Sequence, residues 1–180
     1  MAAGPARASR LPDAAALAVL CTAFAARFHE LVTGGTLYRR DAGFFFVPWR
    51  SLLARFIAAG EWPLWNDWTS GGRPFAADPN AAVFWPLSPL VAVVGPTGLS
   101  LANTALVLLL FYWALRRFGL SAPGSAAGAL VLLFSGVFQS LPGFFGMAAA
   151  AAPLPLAFAE LPRLAAGDPG TRRRALALCA

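Results

Sequence analysis

The stretch RRDAGFFFVPWRSLLARFIAAGEWPLWNDWTSGGRPFAADPNAAVFWP, residues 39–86, differs in character from the rest of the chain. It contains four of the eight Asp and Glu residues, five of the six Trp and five of the 14 Arg. It is also the one long segment that is neither a plain apolar helix nor a short turn. We therefore expect this stretch to form a loop at the outer face of a membrane and to carry the chemistry of the protein.

The composition of the flanking sequence indicates a bilayer. Of the 180 residues, 58% are hydrophobic and only 12% are charged, against about 25% charged residues in a typical soluble domain. Residues 79–115 and 118–159 contain no charged side chain. At about 20 residues per crossing, the first run fits one span with an interfacial piece, and the second fits two spans. The sequence thus predicts an all-α integral membrane protein.

The apolar runs predict four spans at about residues 14–32, 98–115, 126–141 and 147–161, with an outer loop over about residues 33–97. We interpret the first as an uncleaved span rather than a signal peptide. Breaks are expected at Gly95-Pro96 and at Pro153 and Pro155. A further apolar run starts at Ala175, so we expect residues 1–180 to be the N-terminal part of one transmembrane domain.

Within the outer loop, Pro48 suits the first turn of a helix and Gly60 suits its end. Between them an apolar stripe recurs at helical spacing, with Arg50 and Arg55 off the stripe. The stripe consists of Trp49, Leu52, Leu53, Phe56 and Ile57. At about 12 residues this helix is too short to cross a bilayer, so we expect an amphipathic helix lying in the interface. The following Pro-, Gly- and Trp-rich segment favours turns, with Trp rings at headgroup depth.

The net charge of +6 comes from arginines that sit mostly at the ends of apolar runs. This is the pattern of membrane topology and not of a nucleic-acid-binding face. One side of the predicted topology carries Arg7, Arg10, Arg116, Arg117, Arg163 and residues 172–174. Because short cytoplasmic loops are enriched in Arg and Lys, this pattern predicts a cytoplasmic N-terminus and an outward-facing loop.

The order of motifs in the loop resembles that of the YfhO-like bacterial multispan membrane proteins, a group similar to the GT-C glycosyltransferases. The motifs are Asp41, Pro48-Trp49-Arg50, GEWPLWN at residues 60–66, Gly72-Arg73-Pro74 and Phe84-Trp85-Pro86. The resemblance covers about residues 10–165. It implies a multi-pass protein of the bacterial inner membrane that transfers a sugar from a polyprenyl-phosphate carrier to a cell-envelope acceptor.

By the same resemblance, Asp41 takes the place of the catalytic carboxylate in the first outer loop. Such a carboxylate removes the proton of an acceptor hydroxyl, while arginines stabilise the departing phosphate. The predicted substrate-binding residues are Arg39, Arg40, Arg73, Trp65, Asn66, Asp67 and Asp78. Membrane lipid and the polyprenyl-phosphate-linked sugar are the expected partners. The cofactor is left open, a divalent cation being one option, and no residue is assigned as a metal ligand.

Each assignment has a structural alternative. Asp41 could form only an ion pair with Arg39 or Arg40, while Asn66, Asp67 and Asp78 could cap turns. Glu160 is expected to pair with Arg163. The second outer turn, residues 142–146, offers only Pro, Gly and Phe, where the wider fold often has a His or an acidic residue. A non-enzymatic transporter or envelope-assembly subunit, or an inactive fragment, therefore remains an alternative function.

Overall fold

The structure, a computed structural model, describes residues 11–37, 41–69 and 71–165, and it is mostly helical. Arg39, Arg40, the side chain of Arg163 and the expected start of a fifth span lie outside the described part. The helices are α1 (Leu11–Arg27), α2 (His29–Val32), α3 (Val47–Ala59), α4 (Val91–Arg117), α5 (Ala122–Leu133), α6 (Gly136–Ser140), α7 (Phe145–Ala151) and α8 (Leu154–Ala165). Two short strands, β1 (Trp65–Asn66) and β2 (Arg73–Pro74), pair antiparallel between α3 and α4.

Two helical segments are long and apolar enough to cross a membrane, Ala42–Ala59 and Ser88–Arg117. A third qualifies if Ala122–Leu133 and Gly136–Gly143, which are bent by 59° at Phe134 and Ser135, count as one span. The expectation of an all-α protein with membrane-spanning helices is confirmed to this extent. The four-span arrangement stays a prediction, since α1 and α2 are separate and Phe145–Leu161 is a shorter apolar helix.

The helix breaks predicted at Gly95-Pro96 and at Pro153 are present, whereas Pro155 lies in the first turn of α8 and does not interrupt it. Gly95 interrupts α4 with φ 70° and ψ 176°, directly before Pro96. Pro153 separates α7 from α8. The third predicted span is also broken, because Ser135 adopts an extended conformation and caps α6 by accepting a hydrogen bond from the Phe138 amide at 3.3 Å.

The helix of the outer loop is longer than expected. A π-helix, Ala42–Phe46, runs directly into α3, so the helical segment has 18 residues. Its apolar stripe packs on protein: Trp49 and Leu53 are buried in one core with Phe75, Val91, Leu99, Phe145 and Ala149. The expectation of a short interfacial helix resting its stripe on lipid is therefore corrected, because the loop folds back over the stripe.

A second core joins α1, α4 and α5 around Leu20, Tyr112 and Ala129. At one end of this bundle, Asp13 accepts hydrogen bonds from the Tyr112 hydroxyl at 2.5 Å and from Arg116 Nε at 2.8 Å. These bonds, from Tyr112 first and then from Arg116, lower the pKa of Asp13 below its ordinary value. Asp13, in the first turn of α1, thus joins α1 to α4.

The adjacent α4 residue, Arg117, forms an ion pair with Glu160 of α8. The side chain of Arg163, the expected partner of Glu160, lies outside the described part of the chain. Arg116 and Arg117 therefore bind acids on two different helices, and the C-terminal end of α4 is fixed on both sides.

Candidate functional site

Asp41 stands at the start of the π-helix and is exposed. Asp41 lines a cavity of about 420 Å³. This cavity lies between the segment around α2 and the turn that follows α6. The apolar wall of this cavity includes Phe28, Leu31 and Leu37 on one side and Pro142 and Phe144 on the other. Among the described residues, the Asp41 carboxylate makes no hydrogen bond and no ion pair. An acid that the described residues leave without a partner, at an apolar cavity, is a candidate for binding a ligand.

Two polar residues share this cavity with Asp41, Gln139 and Ser140. The Gln139 side-chain amide donates to the Leu133 carbonyl at 3.1 Å, bridging the break between α5 and α6. The Ser140 hydroxyl donates to the carbonyls of Gly136 at 3.1 Å and Val137 at 2.9 Å. The sequence prediction missed both residues, although they are the last polar side chains before the second outer turn.

Two buried polar side chains of α4 bind neighbouring segments: one holds the turn at the Pro142 side of the cavity, and the other holds the end of the outer loop. The Ser100 hydroxyl donates to the Pro142 carbonyl at 2.5 Å. Asn103 accepts from the Trp85 indole N–H at 2.7 Å, which fixes the last part of the outer loop. Ser100 and Asn103 are 2% and 0% exposed, so both contacts are made away from water. One face of α4 therefore holds both the loop and the second turn.

A buried arginine holds the middle of the outer loop. Arg50 is 1% exposed and donates to the backbone carbonyls of Asn80, at 2.9 Å, and Ala81. Its guanidinium carbon lies 3.5 Å from the centroid of the Phe145 ring. No carboxylate pairs with it in the described ranges. Arg50 lies off the apolar stripe and is nevertheless buried, because the loop covers that side of α3 and supplies carbonyl acceptors.

Arg73 and Asp78 are brought together, but not with Asp41. Arg73 forms an ion pair with the buried Asp78 carboxylate and lies 5.0 Å from the centroid of the Trp49 ring. The other oxygen of Asp78 accepts from the Asn80 amide at 2.8 Å. Neither Arg73 nor Asp78 lines the Asp41 cavity. In this arrangement both side chains stabilise the conformation of the loop. For Asp78 this is the turn-capping role given above as its structural alternative.

The remaining predicted residues lie on the hairpin of β1 and β2. Asn66 is 1% exposed and accepts from the Trp68 amide at 2.9 Å, while its own amide donates to Thr69 at 3.1 Å. This is the local turn that the alternative interpretation of Asn66 describes. Trp65 is half exposed and Asp67 is exposed. Neither lines the Asp41 cavity, so the hairpin and the cavity are separate features.

The tip of the loop carries exposed aromatic rings. Trp62 is 76% exposed and Trp68 is 74% exposed. The guanidinium carbon of Arg55 lies 5.3 Å from the Trp68 ring centroid. Exposed Trp beside Arg suits the headgroup region of a membrane, where the ring is partly apolar and the cation meets phosphate.

Within the described ranges, no group of three or more His, Cys, Asp or Glu side chains is placed to hold a metal ion. No protein family, curated protein or solved structure matches this chain. The site is therefore judged on its own geometry: one exposed acid, two neutral polar side chains and an apolar wall.

Proposed function

We propose that this chain is a GT-C-like membrane glycosyltransferase that moves a sugar from a polyprenyl-phosphate donor to a cell-envelope acceptor. The observation that carries the proposal is Asp41, an acid without a hydrogen-bond or ion-pair partner in the described residues, at the apolar cavity of about 420 Å³. The volume falls in the range of about 300–1,000 Å³ typical of small-molecule sites. Asp41 and Ala42, which line the cavity, belong to the loop that the resemblance to YfhO-like proteins assigns to catalysis.

The packing of the Ala42–Ala59 helical segment supports an outer loop that does not cross the bilayer. Gly60, which follows the segment, lines a cavity with Pro89, just before α4 begins. Ala42, the first residue of the segment, lines the Asp41 cavity with Pro142, whose carbonyl accepts a hydrogen bond from Ser100. At 1.5 Å per residue, Ser100 lies only about 14 Å along α4 from Val91 but about 26 Å from Arg117. Both ends of the Ala42–Ala59 segment thus contact the half of the structure opposite the arginine-rich end of α4.

This arrangement agrees with four spans and an outer loop. The end of α4 with Arg116 and Arg117 lies beside the start of α1, where Asp13 contacts Arg116. By the enrichment of arginine in short cytoplasmic loops, that end faces the cytoplasm and the Asp41 cavity faces outward. The protein would then sit in the bacterial inner membrane with its N-terminus inside.

The proposed reaction uses Asp41 as a general base. As the acceptor oxygen bonds to the sugar C1, its proton passes to the carboxylate, and the C1–phosphate bond breaks with its electron pair going to the phosphate. Cations are needed to stabilise the negative charge of the departing phosphate. Arg73 already forms an ion pair with Asp78. Arg39 and Arg40, which directly precede Asp41 in the sequence, are therefore the proposed phosphate ligands, with bidentate geometry available to each.

A transporter is the second candidate. The observation in its favour is the bend of 59° between Ala122–Leu133 and Gly136–Gly143, which places a broken helix beside the cavity. Broken helices form substrate sites in many secondary transporters. The two functions differ in their use of the acid, since a transporter requires no proton removal from an acceptor hydroxyl.

The deciding experiment is sugar transfer from a polyprenyl-phosphate-linked sugar in membranes that contain the full chain. Asp41→Asn should lower the transfer rate about 10²–10⁴-fold, the usual contribution of a general base. Glu61→Gln, another exposed acid of the same loop, is the matched control and should leave the rate unchanged. Normal transfer by Asp41→Asn at an equal membrane level would remove Asp41 from the reaction.

A further inference from the structure

We infer that a second pocket of the outer loop, between α3 and the hairpin, binds the phosphate of a membrane phospholipid. This pocket has a volume of about 170 Å³. It lies between the face of α3 that carries Ser51 and Arg55 and the turn after β1 that carries Trp68 and Thr69. Among the described residues it shares no lining residue with the Asp41 cavity. Binding there does not depend on the transfer of a sugar.

The pocket contains a cation whose charge is not met by an acid of the described residues. Arg55 is exposed, and its guanidinium carbon lies 5.3 Å from the centroid of the Trp68 ring. No carboxylate in the described ranges forms an ion pair with Arg55. Ser70, which follows Thr69 outside the described part, is uncharged. An arginine beside an aromatic ring keeps N–H donors that can bind a phosphate through two parallel hydrogen bonds.

Two hydroxyl groups line the pocket with Arg55 and can donate to the same anion. The Thr69 oxygen accepts a hydrogen bond from the Asn66 amide at 3.1 Å, and its own hydrogen meets no acceptor among the described residues. Asn66 is 1% exposed, so a buried polar contact positions this hydroxyl. Ser51 lies one turn before Arg55 on the same face of α3. The pocket therefore combines one cation with two hydroxyl donors, which is the chemistry that a phosphate requires.

The surroundings of the pocket favour a lipid phosphate over a phosphate in solution. Trp62, Leu64 and Trp68 are 76%, 63% and 74% exposed, and all three lie within residues 62–68. Exposed apolar side chains grouped in this way mark membrane-interaction surfaces, and Trp is enriched at headgroup depth. A phospholipid brings its phosphate to the cation and its apolar part to the rings, whereas inorganic phosphate would leave the rings in water. Basic pockets at this depth are typical sites for lipid head groups.

The test is photolabelling of the full chain in nanodiscs of digalactosyldiacylglycerol, a host lipid without phosphate. The nanodiscs contain a trace of phosphatidylglycerol that carries a diazirine in its head group. We expect labelling within residues 48–69, and loss of that labelling when unlabelled phosphatidylglycerol replaces part of the host lipid. Inorganic phosphate in solution should not compete. A pocket that binds sugars would instead be filled by the host lipid and would not be labelled.

Variants of the pocket separate the contributions of charge and hydroxyl. Arg55→Gln should weaken labelling about tenfold, the lower end for the loss of a hydrogen bond from a charged group. Arg55→Lys should weaken it less, since an ammonium keeps the charge but not the bidentate geometry. Thr69→Val should weaken labelling about twofold to tenfold, whereas Thr69→Ser, which keeps the hydroxyl, should label normally.

The matched control is Arg27→Gln, which removes the same charge from an exposed arginine at the end of α1 that does not line the pocket. It should label normally. Thr69→Val also leaves the Asn66 amide without its acceptor, so the Arg55 variants decide if that protein fails to fold. Equal labelling of Arg55→Gln and the wild type, competition by inorganic phosphate, or no labelling in the phosphate-free host would overturn the inference.

Discussion

Arg50 provides the strongest test of how the outer loop is held. It is a buried cation whose charge is met by two backbone carbonyls and by the face of the Phe145 ring. Arg50→Ala removes all three contacts and leaves the carbonyls of Asn80 and Ala81 without their donor. Arg55→Ala is the matched control, since Arg55 lies on the same helix but is exposed, with its guanidinium carbon 5.3 Å from the centroid of the Trp68 ring.

The expected cost follows from these contacts. A hydrogen bond from a charged group contributes about 1.5–3 kcal/mol net, and a desolvated cation–π contact contributes about 2 kcal/mol. Removal of the arginine also recovers the several kcal/mol that its desolvation costs. We therefore expect Arg50→Ala to lower the free energy of unfolding by about 3 kcal/mol, at the lower end of the range for breaking a buried charged interaction. Arg55→Ala should cost about 1 kcal/mol or less.

The assay is reversible unfolding by sodium dodecyl sulfate in mixed micelles, followed by Trp fluorescence, because Trp49 lies in the core beneath the loop. Arg50→Lys should fall between the wild type and Arg50→Ala, since an ammonium can reach a carbonyl but cannot cover the ring as a planar group does. Equal costs for Arg50→Ala and Arg55→Ala would refute the assignment of Arg50 as the residue that fixes the loop.

Two further predictions concern opposite ends of the molecule. Because the pKa of Asp13 is lowered in the folded protein, its contribution to stability is present above its unfolded pKa of about 3.9 and is lost as the pH falls through the folded value. Asp13→Asn should therefore flatten the loss of stability below about pH 4 in acid unfolding, and an unchanged acid limb would contradict this. Gly72 has a φ of +102°, and a Cβ there would lie 2.8 Å from the Trp65 indole nitrogen. Gly72→Ala should lower the free energy of unfolding by about 1–3 kcal/mol in the micelle assay. Gly136→Ala is the control: a Cβ there would meet open space, so no steric clash should lower its free energy of unfolding.

Features set by local chemistry could be predicted from the sequence. Pro96 and Pro153 stand at helix interruptions, since proline lacks the amide hydrogen and clashes with the preceding turn. Gly60 ends α3 with φ 69°, as a glycine C-cap does. These outcomes need no knowledge of distant residues, so a local pattern suffices.

Features set by contacts between distant segments could not be predicted in the same way. The burial of Arg50 depends on carbonyls about 30 residues further along the chain. The periodicity of α3 cannot predict contacts with so distant a segment. The pairing of Asp13 with Arg116 spans 103 residues, which no local sequence pattern specifies. Gln139 and Ser140 were missed because a cavity is defined by what surrounds it, not by a motif.

The turn after Ser140 and the end of the outer loop are both attached to α4. Ser100 holds the turn after Ser140 through the Pro142 carbonyl, and Asn103 holds the end of the outer loop through Trp85. These two residues are three apart, so they lie on the same face of the helix. Because α4 is itself held at its far end by acids of α1 and α8, the Pro142 side of the cavity and the end of the outer loop are attached to one helix that is fixed at both ends. The proposed reaction would benefit from such an attachment, since misplacement of an acceptor hydroxyl and a base by about 1 Å can lower a rate about 10²-fold.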